Sequence, residues 1–139
     1  MSRKYVLLSI MPKYANQIKA GIKRIELRKR IPALSQGDIV ILYESSPIQR
    51  ITAYCVIDSV VALSPAEMWS TYSCVLGISK KDYDSYFLSA SCAYGLCIKN
   101  VVEFSHPIKL HDSLGILRPP QSYRYLAETD FTTLCKIGI

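Results

Sequence analysis

The chain has 139 residues and a mass of 15.7 kDa, and its 50% hydrophobic content is enough for one packed core, which excludes intrinsic disorder. It contains no run of about 18 apolar residues, and its N-terminal apolar stretch is too short for a signal peptide, so we expect one cytoplasmic domain spanning residues 1–139 with no membrane partner. The net charge of +6 and the pI near 9.1 favour either a polyanionic partner or a solvated basic surface.

The first half of the chain predicts four strands and one short helix. The helix begins at Pro12, because the fixed φ of proline suits a first helical position, and ends at Gly21. The fourth strand is long, and we expect it to bend or bulge around Asp58 and Ser59. The four strands are predicted at residues 4–10, 22–28, 38–44 and 50–63.

In the second half of the chain, helix-capping residues and apolar patterns alternate. Ser64, followed by proline and glutamate, begins a helix, and Ser79 caps another. Residues 93–104 predict either one interrupted strand or a pair of strands. Residues 111–120 form a loop rich in glycine and proline, residues 121–126 predict one helical turn, and the remaining tail is weakly patterned.

This order of elements predicts an α+β fold. Consecutive strands with short connections favour a small mixed or antiparallel β-barrel of about five to six strands, with two to three helices packed around it. The glycine-rich strings typical of dinucleotide-binding sites and P-loops do not occur in the sequence.

The positive charge is concentrated at the N-terminal end. Residues 1–30 hold nine basic residues against the single acid Glu26, a net of +8, whereas residues 31–139 hold eight basic and ten acidic residues, a net of −2. A fold that gathers these cations on one face would attract nucleic acid first and an anionic membrane second.

The cysteines favour neither a disulfide framework nor a metal site. There are five of them, an odd number, and no CxxC pair occurs. Cys55 and Cys97 lie among alternating apolar residues and are expected to act as small buried hydrophobic residues. We therefore predict no metal and no cofactor.

The strand at residues 22–28 carries the best candidate site. Alternation places Glu26 and Arg28 on one face and Lys23 on the other unless a bulge intervenes. Together these side chains could neutralise a phosphate and recognise the edge of a base. The alternative is a surface ion pair, worth about 0–1 kcal/mol.

Three segments carry a resemblance to a known family. SIMPKYANQIKAGIKRIELRKR at residues 9–30, GDIVILYESSP at 37–47 and PPQSYRYL at 119–126 resemble the ASCH-domain family of the PUA superfamily. The resemblance implies a β-barrel related to an RNA-binding domain. It also implies an open cleft between the first helix, the GIKRIELR strand and the late loop, where RNA or a nucleotide would bind.

From the basic residues, the aromatic residues and the resemblance, we predict that single-stranded RNA or one nucleotide binds in this cleft, with a monomer favoured. Some of these cations would position phosphates without reading sequence, and the tyrosines would stack on bases, although tyrosines in half-buried strands are more often core residues. The predicted nucleic-acid-binding residues are Lys13, Lys19, Lys23, Arg24, Glu26, Arg28, Lys29, Arg30, Tyr94, Tyr123 and Arg124.

The resemblance also implies two enzymatic alternatives. Some family members are metal-independent ribonucleases that use a tyrosine, a lysine and a serine, and Tyr43 and Ser122 match the tyrosine and the serine. In place of the lysine this chain has Gln49, which cannot transfer a proton, followed by Arg50, which can stabilise a phosphorane. A core role for Tyr43 and a helix cap at Ser122 are equally compatible with the sequence.

Other family members remove the acetyl group from N4-acetylcytidine with a lysine and a threonine. Lys23 matches that lysine, but Glu26 replaces the threonine, and a carboxylate cannot take the place of the hydroxyl nucleophile in an unchanged mechanism. A protein-interaction domain that presents its basic face to an acidic partner is a third hypothesis.

Overall fold

Six strands form one curled sheet, a half-barrel, in a computed structural model that describes residues 2–139. Five α-helices and one 3₁₀ turn, Ser73–Val75, pack around it. The strands are β1 (Tyr5–Ile10), β2 (Ile25–Arg28), β3 (Ile39–Glu44), β4 (Arg50–Leu63), β5 (Ala93–Ile108) and β6 (Tyr123–Leu126). The helices are α1 (Pro12–Lys19), α2 (Pro65–Tyr72), α3 (Lys80–Tyr86), α4 (Leu110–Leu114) and α5 (Glu128–Gly138).

The sheet is mixed, and its strand order is β2-β5-β4-β3-β1-β6. Only the β1–β3 pair is parallel among the pairings of residues 2–139, and the other four are antiparallel. A parallel pair needs a long crossover, and here the crossover contains α1 and β2. The end of β1, α1 and β2 are therefore brought together beside the sheet. The predicted α+β mixed-barrel class is confirmed.

The long strands β4 and β5 bend the sheet. Their pairing register shifts between Val56 and Ile57 and again between Ile57 and Ser59, so the predicted bulge around Asp58 and Ser59 is confirmed. Residues 93–108 form one continuous strand rather than a pair. The two predicted serine caps also occur, because Ser64 accepts a hydrogen bond from the backbone N–H of Glu67 and Ser79 accepts one from that of Asp82.

The C-terminal part differs from the prediction. Residues 123–126 form β6 instead of a helical turn, because their alternating aromatic residues pair with the free edge of β1, where Tyr123 lies opposite Leu8. The predicted loop at 111–120 begins within α4, which ends at Gly115 in a left-handed conformation. The weakly patterned tail forms α5. With α4 and α5 the structure has five α-helices, whereas two to three were predicted.

Three apolar clusters fill the molecule. One lies between the sheet and the helices α4 and α5, and it contains Tyr43. A second lies between the other face of the sheet and α1. The third joins β2 to α2 and α3. The region where the second and third clusters meet contains α1, β2 and α3, which surround a cavity.

Candidate functional site

A cavity of about 320 Å³ lies between the end of β1, the start of α1, β2 and α3. This volume is at the lower end of the range for small-molecule sites. Its charged lining residues are Lys23, Glu26, Arg28 and Asp82. Tyr14 of α1 and Tyr86 of α3 supply aromatic walls, and apolar side chains complete the lining. The predicted site on the GIKRIELR segment therefore borders a real hollow.

An ionic network occupies one wall of the cavity. Arg28 donates to Glu26 Oε2 through Nε at 2.9 Å. Its Nη2 lies 2.8 Å from the same oxygen as an ion pair and donates to the backbone oxygen of Ser9 at 2.6 Å. Lys23 Nζ lies 3.6 Å from Glu26 Oε1 and donates to the backbone oxygen of Leu76 at 2.6 Å. Lys23 is 3% exposed and Glu26 is 6% exposed, so these charges are largely removed from water.

The network leaves one carboxylate oxygen free. Within residues 2–139, Glu26 Oε1 receives no direct hydrogen bond, although Lys23 Nζ is near. In the same part of the chain, Gln17 Oε1 is the only fully buried side-chain polar atom without a partner, so Glu26 Oε1 keeps some exposed surface, and Glu26 lines the cavity. Lys23 can donate three hydrogen bonds and makes one direct bond, to Leu76. An acceptor and a donor therefore lie side by side.

Lys23 reaches this wall from outside the strand. The prediction that it points away from Glu26 is wrong, because β2 begins only at Ile25 and strand alternation does not extend back to residue 23. Instead, the chain turns at Gly21, with φ of +77°, and the backbone N–H of Lys23 donates to the oxygen of Gln17. Gly77 allows this path, since a Cβ there would lie 2.9 Å from Lys23 Cβ.

Burial changes the pKa of several groups around the cavity. It lowers the pKa of Lys23 below its ordinary value of 10.5, while the nearby Glu26 carboxylate opposes this shift. Burial also raises the pKa of Tyr14, with further contributions from Asp82 and Glu26. The pKa of Tyr86 is raised by burial as well, although Arg28 acts in the opposite direction. Both phenol rings are therefore neutral aromatic walls at neutral pH.

The other predicted cations divide into two groups. Lys29 and Arg30 line two shallow hollows that continue from the cavity, and Lys29 Nζ lies 4.8 Å from the centre of the Tyr86 ring. Lys13 is exposed, with its Nζ 5.6 Å from the centre of the Tyr14 ring. Away from the cavity lining, Arg24 is exposed and Lys19 is paired with the buried carboxylate of Glu44.

The remaining predicted binding residues, Tyr94, Tyr123 and Arg124, lie in different parts of the surface. Tyr94 lies under residues 29–34, in a hollow next to the cavity. Tyr123 packs against the cluster beneath α1, and its ring centre is 6.0 Å from that of Tyr125. Arg124 is exposed on the edge strand β6. Tyr94 lines a hollow together with Lys29 and Arg30.

The three residues predicted for RNA cleavage lie at one end of the sheet. Ser122 Oγ is 3.5 Å from Arg28 Nη1, and the backbone oxygen of Ser122 accepts from the N–H of Ser9. Tyr43 is the register partner of Ser9, but its side chain is buried in the cluster beneath α4 and α5. Arg50 donates to the backbone oxygens of its own turn, including that of Gln49 at 2.9 Å.

Sequence reasoning missed three residues of the cavity. Tyr14, Asp82 and Tyr86 belong to two helices that are separated by about half the chain. Local patterns cannot show whether an inward-facing helical residue such as Tyr14 lines a cavity or the core. Their approach depends on how α3 packs against β2.

Two classes of site do not occur in the part of the chain that the structure describes. No group of three or more histidine, cysteine, aspartate or glutamate residues is placed to hold a metal ion there. No helix among residues 2–139 is both long enough and apolar enough to cross a membrane.

Comparison with known proteins places the chain among relatives of known fold. The family model described as the ASCH domain matches residues 8–103. A curated protein of Zymomonas mobilis named ASCH domain-containing ribonuclease is 26% identical over 139 aligned positions, which cover 97% of this chain and 93% of that protein.

Two further relatives show different extents of similarity. The crystal structure of the ASCH protein from Zymomonas mobilis superimposes with a TM-score of 0.92 at 23% identity, covering 99% of this chain and 98% of that one. Large ribosomal subunit protein uL22 of Ureaplasma parvum is 23% identical over 121 residues, which make up 87% of this chain but only 39% of that protein.

Proposed function

The chain belongs to the ASCH domain family, and from this membership and the geometry of its cavity we propose that it binds single-stranded RNA, with one base held beside Lys23, Glu26 and Arg28. The observation that carries this proposal is that the Glu26 carboxylate, with one oxygen free of direct hydrogen bonds, and the Lys23 ammonium line the same hollow with aromatic walls. A base offers a hydrogen-bond donor for Glu26 and an acceptor for Lys23. The Zymomonas relative is named a ribonuclease, which favours RNA over other polyanions.

The polar atoms of the cavity suit the edge of a nucleobase. Each base presents hydrogen-bond donors next to acceptors on its Watson–Crick edge, and Glu26 would accept from a donor while Lys23 donates to the neighbouring acceptor. Tyr14 and Tyr86 would contact the ring of the base. Such an edge is available only when the base is unpaired, so we expect a single strand to be preferred over a duplex.

Cations near the opening would hold the sugar–phosphate backbone. Lys29 and Arg30 lie in the hollows next to the cavity, and Lys13 is exposed beside Tyr14. Phosphate contacts of this kind add affinity but carry no sequence information. We expect the logarithm of the RNA affinity to fall with the logarithm of salt concentration, by about 0.7 per phosphate contacted.

Binding of a short fluorescent single-stranded RNA, followed by anisotropy, tests the proposal. Glu26→Gln keeps the side-chain shape but removes the charge, and Glu44→Gln is the matched control because Glu44 is a buried glutamate outside the cavity lining. A charge-assisted hydrogen bond contributes about 1.5–3 kcal/mol, so Glu26→Gln should weaken binding about 10- to 150-fold. Glu44→Gln should leave the affinity unchanged.

A double variant tests the electrostatic contribution to RNA binding. The double reversal Arg28→Glu with Lys29→Glu should abolish RNA binding. An anisotropy titration in which both this variant and Glu26→Gln bind like the wild type would place the RNA site elsewhere. Competition by an acidic protein but by no RNA would instead favour a protein-interaction domain.

RNA cleavage is a second candidate function, and the arrangement around Ser9 favours it. Ser122, Ser9 and Tyr43 lie side by side on neighbouring chain segments, and Ser122 Oγ is near Arg28 at the cavity wall. The Tyr43 side chain is 5% exposed and belongs to the cluster beneath α4 and α5, so it would act on a bound strand only after moving out of that cluster. Arg50 would stabilise a phosphorane only after leaving its turn.

Incubation of the purified protein with labelled RNA in the presence of EDTA tests cleavage directly. Attack by a ribose 2′-hydroxyl requires RNA, so the same strand with 2′-deoxyribose should remain intact. Ser122→Ala and Tyr43→Phe should stop cleavage while RNA binding remains. If the wild type binds RNA and yields no product, the protein is a binding domain only.

Deacylation of a modified nucleoside is tested in parallel with N4-acetylcytidine. Lys23 lies in the cavity, but Glu26 occupies the position where the resembling enzymes have a threonine. We expect no deacetylation, because attack by this carboxylate would give a mixed anhydride rather than the usual ester intermediate.

A further inference from the structure

The cavity continues into two shallower hollows on the surface. It shares Arg28 and Tyr86 with the first, which also contains Lys29, Arg30 and Ser122. The first hollow shares Lys29 and Arg30 with the second, whose inner wall is Tyr94. The three hollows therefore adjoin one another along residues 28–34, and together they are called the groove here.

The middle of the groove is suited to a phosphate. Lys29 and Arg30 form no ion pair with any carboxylate in residues 2–139, in contrast to Lys19, Lys23 and Arg28. Ser122 adds a hydroxyl to the same hollow. Two unpaired cations and a hydroxyl are the partners that a phosphodiester binds.

The far end of the groove is suited to a ring. Tyr94 is half-buried beneath residues 31–34, with its side chain in the second hollow. It is the register partner of Arg28, so their Cβ atoms are about 4.5–5.5 Å apart and Tyr94 lies one strand away from the cavity wall. Stacking on an aromatic ring accepts any base, because every base has a π-face.

The outer wall of the groove is fixed in place. Lys4 Nζ donates to the backbone oxygen of Ala33 at 2.9 Å, and the N–H of Ala33 donates to the hydroxyl of Tyr125 at 2.9 Å. Pro32 restricts the backbone of the same segment. The hollow over Tyr94 is therefore bounded by a segment that is tied to β1 and β6.

On the basis of the proposed function, we propose that the groove binds two consecutive nucleotides of one RNA strand. The first base occupies the cavity, the linking phosphate lies against Lys29, Arg30 and Ser122, and the second base stacks on Tyr94. The site then discriminates an RNA strand from a free nucleotide, since a free nucleotide can fill only one of the two base positions together with the phosphate position.

Isothermal titration calorimetry with paired ligands tests this assignment. The probes are the four nucleoside 5′-monophosphates and 3′-monophosphates, and the dinucleoside monophosphates ApA, CpC, GpG and UpU. Both kinds of ligand carry a phosphate, so tighter binding of a dinucleotide reports on the second base. Loss of one stacked base raises the dissociation constant about 5- to 160-fold. We therefore expect the preferred dinucleotide to bind more tightly than its mononucleotide by a factor in this range.

Variants separate stacking from charge. Tyr94→Ala should reduce the dinucleotide affinity to that of the nucleoside 3′-monophosphate, whose base occupies the cavity and does not reach Tyr94, whereas Tyr94→Phe should keep the difference. Lys29→Glu with Arg30→Glu should weaken both ligands, and the matched charge reversal at the exposed Lys99 and Lys109 should weaken neither. Thermal unfolding of each variant verifies that the fold is kept.

The outcomes distinguish the groove from the cavity. If mononucleotides bind in a Glu26-dependent way and dinucleotides bind no tighter, the two-nucleotide groove is wrong and the proposed function stands. If the dinucleotide gain survives Tyr94→Ala, the second base does not stack on Tyr94 and the assignment is also wrong. If no ligand binds at all, both the groove and the proposed function fail.

Discussion

Two lysine–glutamate pairs lie near the C-terminal end of α1, and they differ in what surrounds them. Lys19 contacts Glu44, whose Oε2 also accepts from the Thr52 hydroxyl at 2.5 Å. Lys23 lies 3.6 Å from Glu26, which is held by Arg28. Both glutamates are buried, with 3% of Glu44 and 6% of Glu26 exposed.

The difference between the pairs is the space beside them, because in each glutamate the Oε1 atom has no direct hydrogen bond within residues 2–139. Thr52 and Lys19 both engage Glu44, which lies outside the lining of the cavity. Glu26 keeps one oxygen without a direct hydrogen bond and faces a cavity of about 320 Å³. Burial of a charged pair is therefore not sufficient to identify a binding site. An accessible acceptor beside a donor, in a cavity large enough for a ring, is the more informative feature.

Removal of the Glu26 carboxylate is expected to have the largest effect on stability. Glu26→Ala leaves Lys23 and Arg28 buried without a compensating charge, and breaking a buried pair in this way costs about 3–5 kcal/mol. The free energy of unfolding, measured by urea denaturation at pH 7, should fall by that amount. RNA binding should be lost as well.

Glu26→Gln is the control for this change. Its amide oxygen can still accept from Arg28, so the loss of stability should be smaller than for Glu26→Ala, while the loss of RNA affinity should persist. Equal denaturation midpoints for Glu26→Ala and the wild type would show that the buried network does not stabilise the fold.

Glu44→Ala is expected to have the second-largest effect. It leaves the Thr52 hydroxyl without its acceptor, and an unsatisfied buried polar group costs about 1–3 kcal/mol. Lys19 is the last residue of α1 and its side chain is 15% exposed, so its ammonium can turn toward water at little cost. Urea denaturation should show this intermediate loss, and the anisotropy titration should show unchanged RNA affinity.

Loss of RNA affinity in Glu44→Ala would contradict the comparison, because it would show that the two pairs act as one site. Lys19→Met is a check on the same point. It removes one of the predicted nucleic-acid-binding cations, and since that cation is engaged by Glu44, we expect less than a twofold change in RNA affinity.

Much of the fold was predictable because local signals agree with the tertiary structure. Ser64 and Ser79 each cap a helix whose first turn contains an acidic residue, and the bulge near Asp58 and Ser59 is where polar residues interrupt an apolar strand. The C-terminal segment 121–126 was assigned to a helical turn because its strand character depends on pairing with β1, more than a hundred residues earlier.

The candidate site was predictable only in part, for a related reason. Glu26 and Arg28 share a strand face, so alternation placed them together, as the structure does. Lys23 approaches them through a turn that Gly21 and Gly77 permit, and Tyr86 arrives with α3. Contacts of this kind depend on packing between distant segments, and no local spacing in the sequence encodes them.

Replacement of Lys23 is expected to have the smallest effect on stability, and its sign depends on pH. Burial lowers the pKa of Lys23 below 10.5, so the charged form is less favourable in the folded protein than in the unfolded chain. Lys23→Met removes this cost and leaves Glu26 paired with Arg28. At pH 7 we expect the free energy of unfolding to lie within about 1 kcal/mol of the wild-type value.

The pH dependence sharpens this prediction. Between the lowered pKa of Lys23 and 10.5, the unfolded chain binds more protons at this residue than the folded protein does, so this group makes the wild type more stable as pH rises through that window. Lys23→Met lacks that gain. Urea denaturation of both proteins at increasing pH should show a difference in the free energy of unfolding that shifts in favour of the wild type. A difference that does not change with pH would mean that Lys23 keeps an ordinary pKa in its wall of the cavity.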